Sequence, residues 1–234
     1  LTVCTLRFLR RRKLVYNTIL FDLDGTLLDT TNGVVDAVKI TIEDYGFEMP
    51  SEEILKTFVG PPMQKSMAEK FNLDEAYALK VANKFRANYK KYSLYNAELY
   101  PGIIKMFNRL KSNGFKLAIA TNKSHENAEG IIKHFGLNKY CDFYMGSDLA
   151  GKLNKADIVE KCIEVLNADK KRTVLIGDSE FDSVGAAQAG IDFIGVTYGF
   201  GYKCAEDVKG NYCFNSVADL DEFLNKQKEI VKIC

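Results

Sequence analysis

Residues 18–30 read Thr-Ile-Leu-Phe-Asp-Leu-Asp-Gly-Thr-Leu-Leu-Asp-Thr: an apolar run that ends on two aspartates one residue apart and turns at once on a glycine. The stretch 18–23 is short, β-prone and nearly all apolar, the pattern of a strand buried on both faces of a parallel sheet. Asp22 and Asp24 then bring two negative charges to the carboxyl edge of that sheet, where open α/β sheets bind ligands. An Asx turn after the strand accounts for one acid but not for both. Like charges this close repel, so the pair asks for a positive group between them, most simply a divalent metal.

The sequence that follows splits into two rhythms. Residues 31–45 read as a helix ended by Gly46, and a short helix from Ser51 is broken by Gly60-Pro61-Pro62. A second short helix covers 63–71. Asp74 opens a long one, with Ala78, Ala82, Phe85, Tyr89 and Tyr92 on one apolar stripe and Lys80, Lys84, Arg86, Lys90 and Lys91 on the solvated side. After Pro101-Gly102 the chain alternates: helix 103–113, strand 115–120, helix 124–135, strand 142–145, helix 155–166, strand 173–176, helix 181–189, strand 193–196. A strand at 212–214 and a helix at 217–228 finish it. Alternating units of this kind imply an α/β fold with a doubly wound parallel sheet. The expected organisation is a basic N-terminal extension (1–16), an α/β core (17–32 and 99–234) and a helical insert (33–98).

Charge and cysteine usage narrow the setting. Five of the 32 basic residues and none of the 31 acidic ones lie in the first 16 positions, so the remainder is mildly acidic and offers no nucleic-acid surface. The apolar stretch of that basic tail is far too short to span a bilayer, so no membrane role is expected. The six cysteines are scattered without a Cys-x-x-Cys pair, and there are two histidines, so neither a zinc site nor a disulfide framework is indicated. A reducing cytoplasm is the natural compartment, with the chain a monomer or weak homodimer.

Three further strand ends carry polar residues. The strand at 115–120 runs into Thr121-Asn122-Lys123-Ser124, where a hydroxyl, an amide and a helix N-terminus capped by Ser124 converge, a ready site for phosphate. The strand at 173–176 runs into Gly177-Asp178, with Asp182 one helical turn further on. Together with Asp22 and Asp24 these make a four-carboxylate cluster suited to Mg²⁺. A cluster that also holds phosphate needs a cation, and Lys152 and Lys155 both lie near the start of the helix at 155–166.

Asp-Leu-Asp-Gly-Thr, Thr-Asn after the second core strand, a lysine before the third core helix and Gly-Asp-x-x-x-Asp occur in this order and resemble the four motifs of the haloacid dehalogenase-like hydrolases. The likeness is to the phosphoglycolate-phosphatase-like branch, whose helical cap follows the first motif. It extends to Val59-Gly60-Pro61-Pro62, Leu99-Tyr100-Pro101-Gly102 and Tyr198-Gly199-Phe200-Gly201. The resemblance implies a Mg²⁺-dependent phosphatase of small phosphorylated metabolites acting through an aspartyl-phosphate. Asp22 would be the nucleophile, and Asp24 the acid that protonates the leaving oxygen and then the base that activates water. Asp22, the backbone carbonyl of Asp24 and Asp178 would hold Mg²⁺, with Asp182 behind them; Thr121 and Asn122 would bind the phosphoryl group. The lysine motif lacks the proline of one common form, and Asn154-Lys155-Ala156-Asp157 selects Lys155 over Lys152. An ionised Asp22 beside Asp24 would favour the protonated form that the first step requires.

Other readings differ in what they need. A dehalogenase has little use for Asp24 and Asp178, and a sugar phosphomutase would use basic groups in the insert for a second phosphate. A phosphonate hydrolase would need a Schiff-base lysine there, with Lys56 and Lys65 candidates by position. A non-catalytic phospho-acceptor or binding module would need neither the insert nor Asp24. Gly60, Gln64 and Arg86 are the insert residues expected to face substrate, and His125 and His134 read as ordinary helix residues.

Overall fold

The computed structural model describes residues 16–148 and 153–231; the basic stretch 1–15 and Lys152 lie outside the described residues. The chain runs β1 (Thr18–Phe21), β2 (Leu28–Asp29), α1 (Thr31–Tyr45), α2 (Glu52–Lys56), α3 (Met63–Phe71) and α4 (Glu75–Asn88). It continues through β3 (Glu98–Leu99), α5 (Ile103–Ser112), β4 (Lys116–Ser124), α6 (His125–His134) and β5 (Phe143–Ser147). Last come α7 (Lys155–Leu166), β6 (Thr173–Gly177), α8 (Glu180–Ala189), β7 (Asp192–Val196), β8 (Tyr212–Phe214) and α9 (Val217–Val231). No helix among the described residues is long and apolar enough to cross a membrane.

Six strands form one sheet in the order β5-β4-β1-β6-β7-β8, and each neighbouring pair is parallel. Successive side chains of a strand point to opposite faces. Leu20, Ala118, Ala120, Leu175 and Phe193 therefore pack on one side with Ile158, Val159 and Cys162 of α7 and Ala186 of α8. Ile19, Phe21, Leu117, Ile119, Val174 and Ile176 pack on the other with Met106 and Phe107 of α5, Ile131 of α6 and Leu220 of α9. Both faces are covered, which is why the strands read as continuous apolar runs. Tyr16 joins this core, buried and donating its hydroxyl to Asp192 Oδ2 at 2.9 Å, one residue earlier than the expected start of the core.

Helices α1–α4 lie between β2 and β3, which pair antiparallel (Leu28 with Leu99, Asp29 with Glu98) and so carry the chain out of the sheet and back side by side. The apolar cluster beneath the sheet continues into Val38 and Ile42 of α1, Met67 of α3 and Val81 and Phe85 of α4. One expectation for this region fails. After Asn88 the chain makes a π-helical turn, Tyr89–Ser93. A π turn takes more residues per revolution than an α turn. Tyr92 consequently swings out, 57% exposed, and Ser93 takes the buried position.

Two details of β4 also differ from the reading of the sequence. The strand runs on to Ser124 through a register shift against β5 between Thr121 and Ser124. Ser124 precedes α6 and is still paired as strand with Ser147, and its side chain makes no capping hydrogen bond.

Candidate active site

β1, β4 and β6 lie side by side at the centre of the sheet, so their carboxyl ends open on one point. Asp22 follows β1 directly, its N–H donating to Ile176 O of β6 at 2.8 Å. Asp178 follows β6, and Asp182 lies in the first turn of α8. Carboxylate oxygens of Asp22, Asp178 and Asp182, all buried, lie within 4.8 Å of one another.

Among the described residues one ammonium serves this cluster. Lys155, at the start of α7 and 5% exposed, donates from Nζ to Asp22 Oδ1 (2.5 Å) and Ala120 O (2.5 Å) and pairs with Asp182 Oδ1 (2.7 Å). Its stem crosses α8 at Gly185, where an added Cβ would come within 2.5 Å of Lys155 Cγ. Asp182 Oδ2 meanwhile accepts from Ser179 N (3.1 Å) and Ser179 Oγ (2.6 Å), which fixes it across the start of α8. Asp178 Oδ2 accepts from the backbone N–H groups of Phe200 (2.7 Å) and Gly201 (3.0 Å). Gly25, at φ +78°, turns the chain so tightly past this carboxylate that a Cβ there would lie 2.3 Å from Asp178 Oδ2.

Three carboxylates against one ammonium leave the cluster with excess negative charge, and the acids register it. Burial pushes Asp22 up to about 8; Lys155 opposes the rise, and Asp182 and Asp178 add to it. Burial and then Asp182 push Asp178 up to about 6 against the backbone N–H donors. For Lys155, burial alone would lower the pKa, but the Asp182 and Asp22 carboxylates hold it above the usual lysine range. A buried, oxygen-only donor set with uncompensated charge fits a hard divalent cation.

Asp24 is not in this group, which corrects the expected four-carboxylate cluster to three. The chain turns at Gly25, and the Asp24 side chain points instead to Lys123, Oδ2 to Nζ 2.9 Å. Its Oδ1 is buried with no hydrogen-bond partner among the described residues. The charge that faces Asp24 is therefore the Lys123 ammonium rather than the Asp22 carboxylate. Burial would lower the pKa of Lys123, but Asp24 and then Tyr89 hold it above the usual range. The sequence reading passed over Lys123. Its place beside Asp24 comes from the strand pairing: β1 pairs Phe21 with Ile119, and that register carried forward sets Asp24 level with Asn122, next to Lys123.

The remaining candidates divide. Thr121, 2% exposed, accepts from Lys123 N at 3.2 Å, and Asn122 beside it is exposed at the sheet edge. Gly60 stands against Phe200, whose Cβ is 3.5 Å from a Cβ added at the glycine, so the insert meets the loop that holds Asp178. Gln64 is brought elsewhere and donates to Glu75 O at 3.4 Å between α3 and α4. Arg86 is exposed and bonded to Asn83 on its own helix (2.6 Å). His125 accepts from Gly146 N at 3.2 Å and His134 stacks on Tyr95, both at the ends of α6.

Residues 19–196 match the family model described as haloacid dehalogenase-like hydrolase. A 5'-nucleotidase of Pseudomonas aeruginosa is 31% identical over 213 residues, covering 91% of this chain and 96% of its own. A phosphoglycolate phosphatase of Aquifex aeolicus is 30% identical over 173 residues, covering 74% and 80%. A crystal structure from Clostridium acetobutylicum, described as a predicted phosphatase, superposes with a TM-score of 0.81 at 36% identity over 91% of this chain and 99% of that one. The three-aspartate site at the head of a parallel sheet thus sits in a chain that belongs to the haloacid dehalogenase-like hydrolases, on their phosphoglycolate-phosphatase-like side.

Proposed function

We propose that this phosphatase hydrolyses a small phosphomonoester in two displacements, with Mg²⁺ at the aspartate cluster and residues 33–98 acting as a cap. The observation that carries the reading is the pairing of two differently placed acids: Asp22 held among carboxylates by Lys155, and Asp24 held apart with a buried, unpartnered oxygen. Asp22 attacks phosphorus, and the bond from phosphorus to the leaving oxygen breaks as Asp24 supplies that oxygen with a proton. Water then attacks the aspartyl-phosphate, Asp24 takes the water's proton, and cleavage of the phosphorus–Asp22 bond returns the carboxylate and releases phosphate. Thr121 and Asn122 bind the phosphoryl oxygens. Asp22 and Asp178, with the backbone carbonyl of Asp24, would hold Mg²⁺, and Asp182 would stand behind them through Lys155. Bound there, the metal supplies charge neutralisation between an anionic nucleophile and an anionic ester.

The test is release of phosphate from p-nitrophenyl phosphate, expected to require Mg²⁺ and to be inhibited by vanadate. If neither this ester nor any of a panel of phosphoglycolate, nucleoside 5′-monophosphates and sugar phosphates is turned over, the reading fails. The relatives' names span a nucleotide and a small acid, so kcat/KM across that panel selects the substrate class.

Metal binding has a separate signature. Asp22 and Asp178 carry pKa values raised above the ordinary carboxylate range, so the folded chain keeps protons that the unfolded chain has already lost. Without metal, stability is therefore present at low pH and is lost as pH rises through about 6 and about 8. Mg²⁺ takes the ionised form, so its stabilisation grows over the same range. At saturating Mg²⁺ we expect Tm to rise by about 5–10 °C at pH 8.5 and by clearly less at pH 5.5. An equal rise at both values would mean that the cation binds elsewhere.

A further inference from the structure

Lys123 and Tyr89 form a contact between core and insert that the scheme above leaves unused. Lys123 leaves the end of β4 and lies 11% exposed in its side chain, with Nζ 2.9 Å from Asp24 Oδ2. Nζ also donates to the Tyr89 hydroxyl at 3.3 Å and lies 4.7 Å from the centroid of the Tyr89 ring. Tyr89 belongs to the insert: it opens the π turn after α4 and is 4% exposed. Its neighbour Asn88 is tied to α1 by hydrogen bonds to Thr41 Oγ1 (3.1 Å) and Asp44 Oδ2 (2.8 Å), so the ring cannot drift along the helix.

The geometry bears on Asp24. A carboxylate gripped at Oδ2 has its rotation fixed, and the oxygen left over, Oδ1, is the one that is buried without a partner among the described residues. A buried acceptor without a partner is costly unless a bound group supplies one. We propose that Lys123 is a positioning residue that aims Asp24 Oδ1 at the leaving oxygen, and that Tyr89 of the insert completes it by holding the lysine. The insert thereby affects proton transfer without touching substrate. This inference rests on the phosphatase reading and on the role given there to Asp24.

The experiment compares two leaving groups. Departure of p-nitrophenolate needs little help from a proton donor, whereas an alkyl alkoxide needs it fully. In Lys123→Met the first-turnover rate on an alkyl phosphate such as glycerol phosphate should fall at least about tenfold further than the p-nitrophenolate burst rate, with the loss in kcat rather than KM. Lys123→Arg should recover part of the difference, and Tyr89→Ala should show the same bias more weakly while Tyr89→Phe keeps the ring. Thermal melts of each variant guard against misfolding, and if Lys123→Met does not fold, Tyr89→Ala carries the comparison. Equal losses on both esters, with wild type active, would overturn the assignment of Lys123 and leave the phosphatase reading intact. A wild type inactive on both would remove the reading and the inference together.

Discussion

Asp22→Asn is expected to lower kcat by roughly 10⁴-fold or more, because the substitution removes the attacking electron pair and leaves the rest of the site in place. The isosteric amide keeps the side chain where β1 sets it. Lys155 retains Asp182 Oδ1 and Ala120 O as partners, so the ammonium is not abandoned. The variant separates chemistry from folding, since one of three crowded carboxylates has gone. Asp22 is ionised at alkaline pH only against burial and two neighbouring acids, so Asn relieves a cost there. The metal-free variant should therefore melt no lower than wild type at pH 8.5, and it should gain less from Mg²⁺. Turnover above about a tenth of wild type would mean that water attacks phosphorus directly and that Asp22 serves only the metal.

The alternation of the core was legible because both faces of the sheet are covered: apolar runs such as Ile19–Leu20–Phe21 are what a strand buried on both faces requires. Asp22 and Asp178 were legible for a related reason, since an acid that ends a buried strand has few structural uses. Three features were not legible. β2 and β3 are two residues each, too short to carry an alternating pattern. The π turn at Tyr89–Ser93 depends on a single extra residue of phase, and Tyr92 and Ser93 exchange roles without any change in composition. Lys123 escaped because one lysine among the chain's many carries no spacing signal of its own. Its partners, Asp24 and Tyr89, come from distant parts of the sequence, and only the sheet order and the seating of the insert bring the three together. The same blindness placed Asp24 with Asp22: adjacency in sequence suggested a shared cation, while the turn at Gly25 sets the two acids on different lysines.

Those two lysines are not equivalent, and removing Lys155 should have the largest effect on stability. Its Nζ serves Asp22, Asp182 and Ala120 O, and both acids are at least nine-tenths buried. Lys155→Met keeps the length and apolar stem that pack over Gly185 but deletes the charge. Two buried carboxylates then face each other and Asp178 without compensation, which costs about 3–5 kcal/mol, equivalent to roughly 10 °C in Tm. The sign with pH follows from the acids. Asp22 already holds its proton up to about 8 with the lysine present, and without it the proton is held more tightly. At pH 5.5 a protonated Asp22 needs no cation but Asp182 still loses its partner, so the deficit should be smaller than at pH 8.5, where both acids are left without one. Lys155→Met with Asp182→Asn removes the charge and one of its partners together, so the pair should recover part of the loss, a coupling that two independent surface changes would not produce. Turnover should not recover with stability, because Asp22 still lacks the ammonium that orients it and offsets charge as phosphorus is attacked. If the double variant is as unstable as the single one at pH 8.5, the loss does not come from stranding the Asp182 carboxylate, and the charge balance assigned to the cluster is wrong.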